Sequence, residues 1–145
     1  MLKRRIFQKG KTKDLSLTEI GFGTAPLGNL YKAISDSDAS STLEAAWDLG
    51  VRYYDTAPLY GLGLSETRLN RFLRTKPRNE YVLSTKVGRL MEPCSEAERT
   101  GHGKWFDVPL RREVYDYSYD GVMKSIEFSY AVSYTHLRAH ETSPD

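Results

Sequence analysis

A single cysteine, Cys94, stands among 145 residues. An internal disulfide is therefore excluded, and the scarcity of thiols agrees with a reducing compartment. No histidine or basic cluster lies beside Cys94 to make it reactive, so it reads as an incidental thiol. Long apolar runs are missing as well: none approaches the roughly 18 residues that a membrane span requires. The opening, MLKRRIFQKGKTKD, is basic but lacks the apolar stretch of a secretory signal, and the expectation is a mature protein in the cytoplasm. Charge of one sign is lacking too. Lys and Arg total 21 against 19 Asp and Glu, a net charge of +2, too small and too scattered to point to nucleic acid. What remains, 39% hydrophobic and 28% charged residues, is the composition of one soluble globular domain.

Residues 3–21 alternate weakly around a turn at 10–14, which predicts a short β-hairpin. GFGTAPLG, residues 21–28, is small-residued and glycine-bounded, suiting a buried strand that runs into a loop. Its Gly21-x-Gly23 start is not a dinucleotide fingerprint, because the third glycine is misplaced at Gly28 and Pro26 interrupts the helix whose N-terminus would hold phosphate. Residues 37–49 read as a helix capped by Ser35 or Asp36, with Ala39, Leu43, Ala46 and Trp47 on one face and Gly50 ending it in the left-handed region. A strand follows at 51–55. A second helix covers 65–74, with Ser65 as its cap and Leu69, Phe72 and Leu73 inward. Another strand spans 81–86. This alternation implies parallel strands joined by right-handed crossovers, an α/β sheet or barrel.

Residues 87–117 show no clear period and predict a long loop, either functional, as a lid or binding loop, or disordered. Its aromatics Trp105, Phe106, Tyr115 and Tyr117 either wall a substrate pocket or pack the loop onto the sheet. Helical spacing returns over 118–131 through Val122, Ile126 and Tyr130, with Ser118 as cap. Beyond residue 131 the period is lost, which divides the chain into a domain at 1–131 and a tail at 132–145.

The chemistry concentrates between residues 51 and 88. Asp55 ends one apolar run, Lys86 ends the next, and Tyr60 lies in the Pro/Gly-rich loop between. In a parallel α/β barrel, functional residues gather at the carboxyl ends of the strands, so all three would rise on one rim. An ammonium near a phenol favours the phenolate, and a carboxylate beside that ammonium keeps it charged. Together the three make an acid that can protonate a carbonyl oxygen as hydride arrives, or deprotonate a hydroxyl in reverse; on spacing alone, an incidental Asp, Tyr and Lys is the commoner case, since such residues are frequent in loops.

GFGTAPLGNLY (21–31), YDTAPLYGLGLSE (54–66), VLSTKVGRL (82–90) and YDYSYDGVMKSIE (115–127), in that order, resemble the aldo-keto reductase superfamily. The branch they resemble most holds the L-fucose or D-threo-aldose dehydrogenases and the pyridoxal 4-dehydrogenases. The resemblance covers residues 4–131. It implies a (β/α)8 barrel, of which the chain holds about three βα units preceded by the hairpin, and NAD or NADP bound across the rim without a Rossmann domain. It also implies a catalytic tetrad of Asp, Tyr, Lys and His, of which Asp55, Tyr60 and Lys86 are present. Gly23, Thr24 and Asp55 match positions that border the cofactor, and the substrate would be a small carbonyl or sugar. The retained trio favours an enzyme over the family's non-catalytic channel β-subunit type.

The tetrad histidine has no counterpart. The family pattern stops after Tyr130 and Ala131, His136 and His140 follow no apolar strand, and His102 sits in the polar loop. VSYTHLRAHET, at 132–142, resembles the translation of a sequencing adapter, and the expectation is that the reading frame is an aldo-keto reductase gene cut short. A (β/α)8 barrel takes roughly 250 residues. The 145-residue chain alone is therefore expected to be unstable and inactive, a functionless piece of an oxidoreductase.

Overall fold

A computed structural model describes residues 2–10 and 12–132. The expected amino-terminal hairpin is present: β1 (Arg4–Lys9) pairs antiparallel with β2 (Thr12–Thr18). It is fastened to the rest of the chain where Thr18 Oγ1 accepts from the Arg52 amide at 3.2 Å.

Behind it lies a three-stranded parallel sheet of β3 (Phe22–Gly23), β4 (Tyr53–Asp55) and β5 (Val82–Ser84), in that spatial order. Helix α1 (Asp36–Asp48) crosses from β3 to β4, and α2 (Leu64–Leu73) crosses from β4 to β5. Register aligns Phe22 with Tyr54 and Leu83, and Gly23 with Asp55 and Ser84. The carboxyl ends of the strands thus form one row. Strands are shorter than the runs 51–55 and 81–86 suggest, and Lys86 lies two residues past the end of β5.

Local chemistry accounts for the helices. Ser35 caps α1, its Oγ accepting from the Asp38 amide at 3.0 Å, with Asp36 and Asp38 in the first turn where they suit the helix dipole. Ala39, Leu43 and Ala46 are buried on one face, and Gly50 follows at φ +94°, a backbone open to glycine at little cost. Leu69, Phe72 and Leu73 bury the face of α2 against Leu43, Val51, Tyr54 and Tyr81. Ser65, however, is not a cap. It lies inside α2, behind Gly63 at φ +98°, and its hydroxyl donates to the Thr24 carbonyl at 2.8 Å. Between β3 and α1, Pro26 sits in a single 3-10 turn, Ala25–Gly28. No α-helix starts there, as the proline implied.

Two expectations are corrected. Residues 87–117 are not a structureless loop: β6 (Arg89–Pro93) and β7 (Arg111–Tyr115) form an antiparallel ribbon, in register from Arg89 opposite Tyr115 to Pro93 opposite Arg111. Its apolar weight lies across the chain rather than along it, because Met91 and Trp105 bury themselves with Leu62 from the loop after β4. Helix α3 (Tyr119–Val132), capped by Ser118 Oγ on the Gly121 amide, turns a different face inward. It buries Gly121, Ser125 and Ser129, while Val122 and Ile126 are half-buried and Tyr130 is exposed. At the helix start the turn folds back tightly, since a Cβ on Gly121 would lie 2.2 Å from the Asp116 carboxyl carbon.

Candidate active site

The row Gly23–Asp55–Ser84 sets the floor of the site. Asp55 accepts from Ser84 Oγ at 2.6 Å and from Lys86 Nζ at 2.7 Å. Lys86 also donates to the Thr56 carbonyl at 3.0 Å, and its Nζ stands 5.1 Å from the centre of the Tyr60 ring. The three residues expected on one rim are therefore together. Desolvation raises the Asp55 carboxyl, but the bonds from Lys86 and Ser84 outweigh it and hold the group below the ordinary carboxylate value. Desolvation likewise lowers Lys86, and contact with Asp55 and Tyr60 more than offsets it, leaving the ammonium above its usual value. The cluster is a lysine kept charged beside a phenol.

Tyr60 is positioned from two sides. Its ring lies 6.3 Å from that of Trp105, tilted by 41°, so the β6–β7 ribbon walls one flank. On the other side its loop meets the 3-10 turn backbone to backbone: a Cβ on Gly28 would come within 2.5 Å of the Gly61 amide, and one on Gly61, at φ +64°, within 2.5 Å of the Gly28 carbonyl. Both glycines are required by this approach. Asn29 locks the same junction, donating to the Phe106 carbonyl at 2.9 Å while its Oδ1 accepts from Arg68 Nη1 at 2.8 Å.

Next to Tyr60 and Lys86 lies a cavity of about 320 Å³, bounded by Ala57, Pro58, Leu59, Val87, Arg89 and Tyr117. Of the loop aromatics, Trp105 both packs the ribbon and flanks Tyr60, whereas Tyr117 lines the cavity. Gly88 at φ +95° lets the Tyr117 ring lie against the backbone two residues past Lys86.

Gly23 is exposed, with open space where a Cβ would stand, and it adjoins the half-exposed Asp55. The two residues form an open strip at the strand ends. Thr24 is placed otherwise: it is 0% exposed, and its hydroxyl donates to the Asp55 carbonyl at 3.0 Å and accepts from Ser65 at 2.8 Å. Its side chain supports the strand end and does not face the strip. His102 is exposed, paired with Arg99, and does not line the cavity; His136 and His140 lie outside the described residues.

Sequence reading missed Ser84, although its position two residues before Lys86 put it on the same strand face. It also missed Trp105's contact with Tyr60, for which no local signal exists.

Parallel βα units carrying an acid–base cluster along their carboxyl rim define a partial α/β barrel. The chain belongs to the Aldo/keto reductase family, whose sequence profile matches residues 19–130. It is 53% identical over 116 residues to the D-threo-aldose 1-dehydrogenase of a Pseudomonas species, an alignment covering 77% of this chain and 35% of that protein. It is 47% identical over 128 residues to the pyridoxal 4-dehydrogenase of Microbacterium luteolum, covering 83% and 37%. Among solved structures, a holo aldo-keto reductase from Bacillus halodurans superposes with a TM-score of 0.65 at 27% identity, covering 93% of this chain and 37% of that one. The chain thus spans about a third of the length of these relatives and corresponds to the amino-terminal part of a TIM barrel.

Proposed function

We propose that this chain carries the proton-transfer half of an NAD(P)-dependent oxidoreductase that interconverts a carbonyl, or a sugar hemiacetal, with its reduced or oxidised partner. The observation that carries the reading is the Lys86 ammonium held at 2.7 Å from Asp55 and beside the Tyr60 ring. The names of two relatives, D-threo-aldose 1-dehydrogenase and pyridoxal 4-dehydrogenase, favour a D-threo aldose or pyridoxal as substrate; L-fucose and a cytoplasmic setting follow from the sequence resemblance.

Gly23 and Asp55 would border a nicotinamide cofactor, which supplies or accepts hydride when bound. In the reducing direction, hydride joins the carbonyl carbon, the C=O π pair moves to oxygen, and that oxygen takes the proton of the Tyr60 hydroxyl. Lys86 stabilises the phenolate left behind, which regains a proton from solvent. Asp55 and Ser84 fix the lysine, and Trp105 keeps water from one face of the tyrosine. Oxidation runs the same path backwards, with the phenolate as base. Residues 1–131 bear this part of the domain, and the 145-residue chain alone is proposed to be inactive.

Cofactor reduction by the full-length protein with L-fucose, D-arabinose and pyridoxal tests the reading. Tyr60→Phe is expected to lower kcat by about 10²- to 10⁴-fold with little change in cofactor affinity. Unchanged turnover in that variant would rule Tyr60 out as the proton donor.

A further inference from the structure

One carboxylate near the site has no part in the scheme above. Glu66, in the first turn of α2, is only 2% exposed. Its Oε1 accepts from Thr85 Oγ1 at 2.6 Å and from Ser129 Oγ at 3.0 Å, and its Oε2 stands 3.2 Å from the same serine. No cation touches it among the described residues, and burying a carboxylate on two neutral hydroxyls costs free energy that an apolar residue would not. Two hydroxyls suffice to satisfy its hydrogen bonds but not to repay its charge. The expense has an outlet in the chain itself, because Thr85 is the residue immediately before Lys86.

We infer that Glu66 is a positioning residue for Lys86: through Thr85 it fixes the extended segment beyond β5 so that Nζ meets Asp55, and its charge adds to that of Asp55 in holding the ammonium. Lys86 then stands between two carboxylates, one in contact across the sheet and one behind its own backbone. The titratable neighbours of Lys86 are Asp55 from β4 and Tyr60 from the loop, with Arg89 across the cavity; those of Glu66 are Lys86 and, across a small cavity under α2, Arg78 and Tyr81. Glu66 and Asp55 are the carboxylates in this set, so removing either negative charge makes the lysine easier to deprotonate. Ser129, in α3, bonds both oxygens of the same carboxylate and reaches Lys86 only through Glu66 and Thr85.

This inference rests on the proposed proton transfer, and three variants of the full-length protein separate the two. Thr85→Val removes the link to Lys86, Glu66→Gln removes the charge and keeps hydrogen-bonding capacity, and Ser129→Ala cuts only the bond to α3. The first readout is acylation of Lys86 by acetic anhydride at about pH 9, followed by mass spectrometry as a ratio to Lys76, which is paired with Glu44 and remote from the site. The second is the pH profile of kcat/KM.

Thr85→Val and Glu66→Gln are expected to raise the Lys86/Lys76 ratio several-fold and move the alkaline limb to lower pH, with kcat down by about tenfold to a hundredfold in Thr85→Val, the scale of a misplaced catalytic group. Ser129→Ala is expected to lower Tm and leave the ratio and the limb in place. A ratio unchanged in the first two variants, or moved equally by Ser129→Ala, overturns the inference and makes Glu66 a cross-link between helices. If the unsubstituted protein turns over none of the carbonyl substrates, the functional reading fails and the acylation ratio still decides this one.

Discussion

The parallel βα layer and the β6–β7 ribbon are built on different principles. In the layer, each apolar residue answers to a local period: Ala39, Leu43 and Ala46 in α1, and Leu69, Phe72 and Leu73 in α2, close over Tyr54 as one core. Beside the ribbon, the buried residues Leu62, Met91 and Trp105 come from three separated stretches, with Leu30, Leu59, Tyr60, Val108 and Phe128 packed around them. The layer therefore makes the rim, and the ribbon aims what the rim holds. Losses in the first should register as stability, and losses in the second as turnover.

The largest effect is expected in the layer. Leu69→Ala, at a fully buried position, should cost about 2–5 kcal/mol by deleting packed methyl groups and leaving a cavity, measured by denaturant unfolding of the full-length protein. Gly28→Ala comes next, at about 1–3 kcal/mol, because the added methyl meets the backbone of Gly61 and cannot rotate away; turnover should fall with it, as Tyr60 is displaced. Trp105→Ala tests the division directly. Its expected signature is a drop in kcat of about tenfold from loss of aim at Tyr60, with a smaller change in Tm than Leu69→Ala. A Tm loss equal to that of Leu69→Ala would show that ribbon and layer form one cooperative unit.

The smallest effect is one of pH. Burial raises the Glu66 carboxyl above its ordinary 4.5, so the folded chain binds that proton more tightly than the unfolded one. Its favourable contribution is complete below about 4.5 and is lost as pH rises through the folded value. Glu66→Gln, which does not titrate, should therefore gain Tm relative to the unsubstituted protein on going from about pH 5 to about pH 8, by a few degrees at most. A gap that narrows over that range would reverse the assigned sign.

How much of this was legible in advance follows from the same contrast. The order of βα units, the Ser35 cap, the Gly50 terminus and the coming together of Asp55, Tyr60 and Lys86 all rest on short-range signals or on strand-end geometry, and they could be read from residues alone. The ribbon could not. Arg89–Pro93 and Arg111–Tyr115 carry charge on both faces and earn their pairing from partners about 20 residues away. Helix α3 misled for a related reason: its apolar stripe through Val122, Ile126 and Tyr130 was conspicuous, whereas the buried stripe consists of Gly121, Ser125 and Ser129, small residues that signal close approach only once the neighbour is known. Ser65 was misread as a cap because serine before a helix is usually one, and here the demand of the Thr24 carbonyl won.

The abutment of Gly28 on Gly61 has a kinetic side. Because backbone meets backbone there, no rotamer exists that could swing aside, and the loop bearing Tyr60 has no soft direction toward β3. Any breathing that admits a bulkier ligand would come from the opposite wall, where Val87 and Tyr117 are exposed side chains, a class that moves on the picosecond-to-nanosecond scale. Under the proposed function, substrate range would thus be adjustable at Val87 and Tyr117 without moving Tyr60.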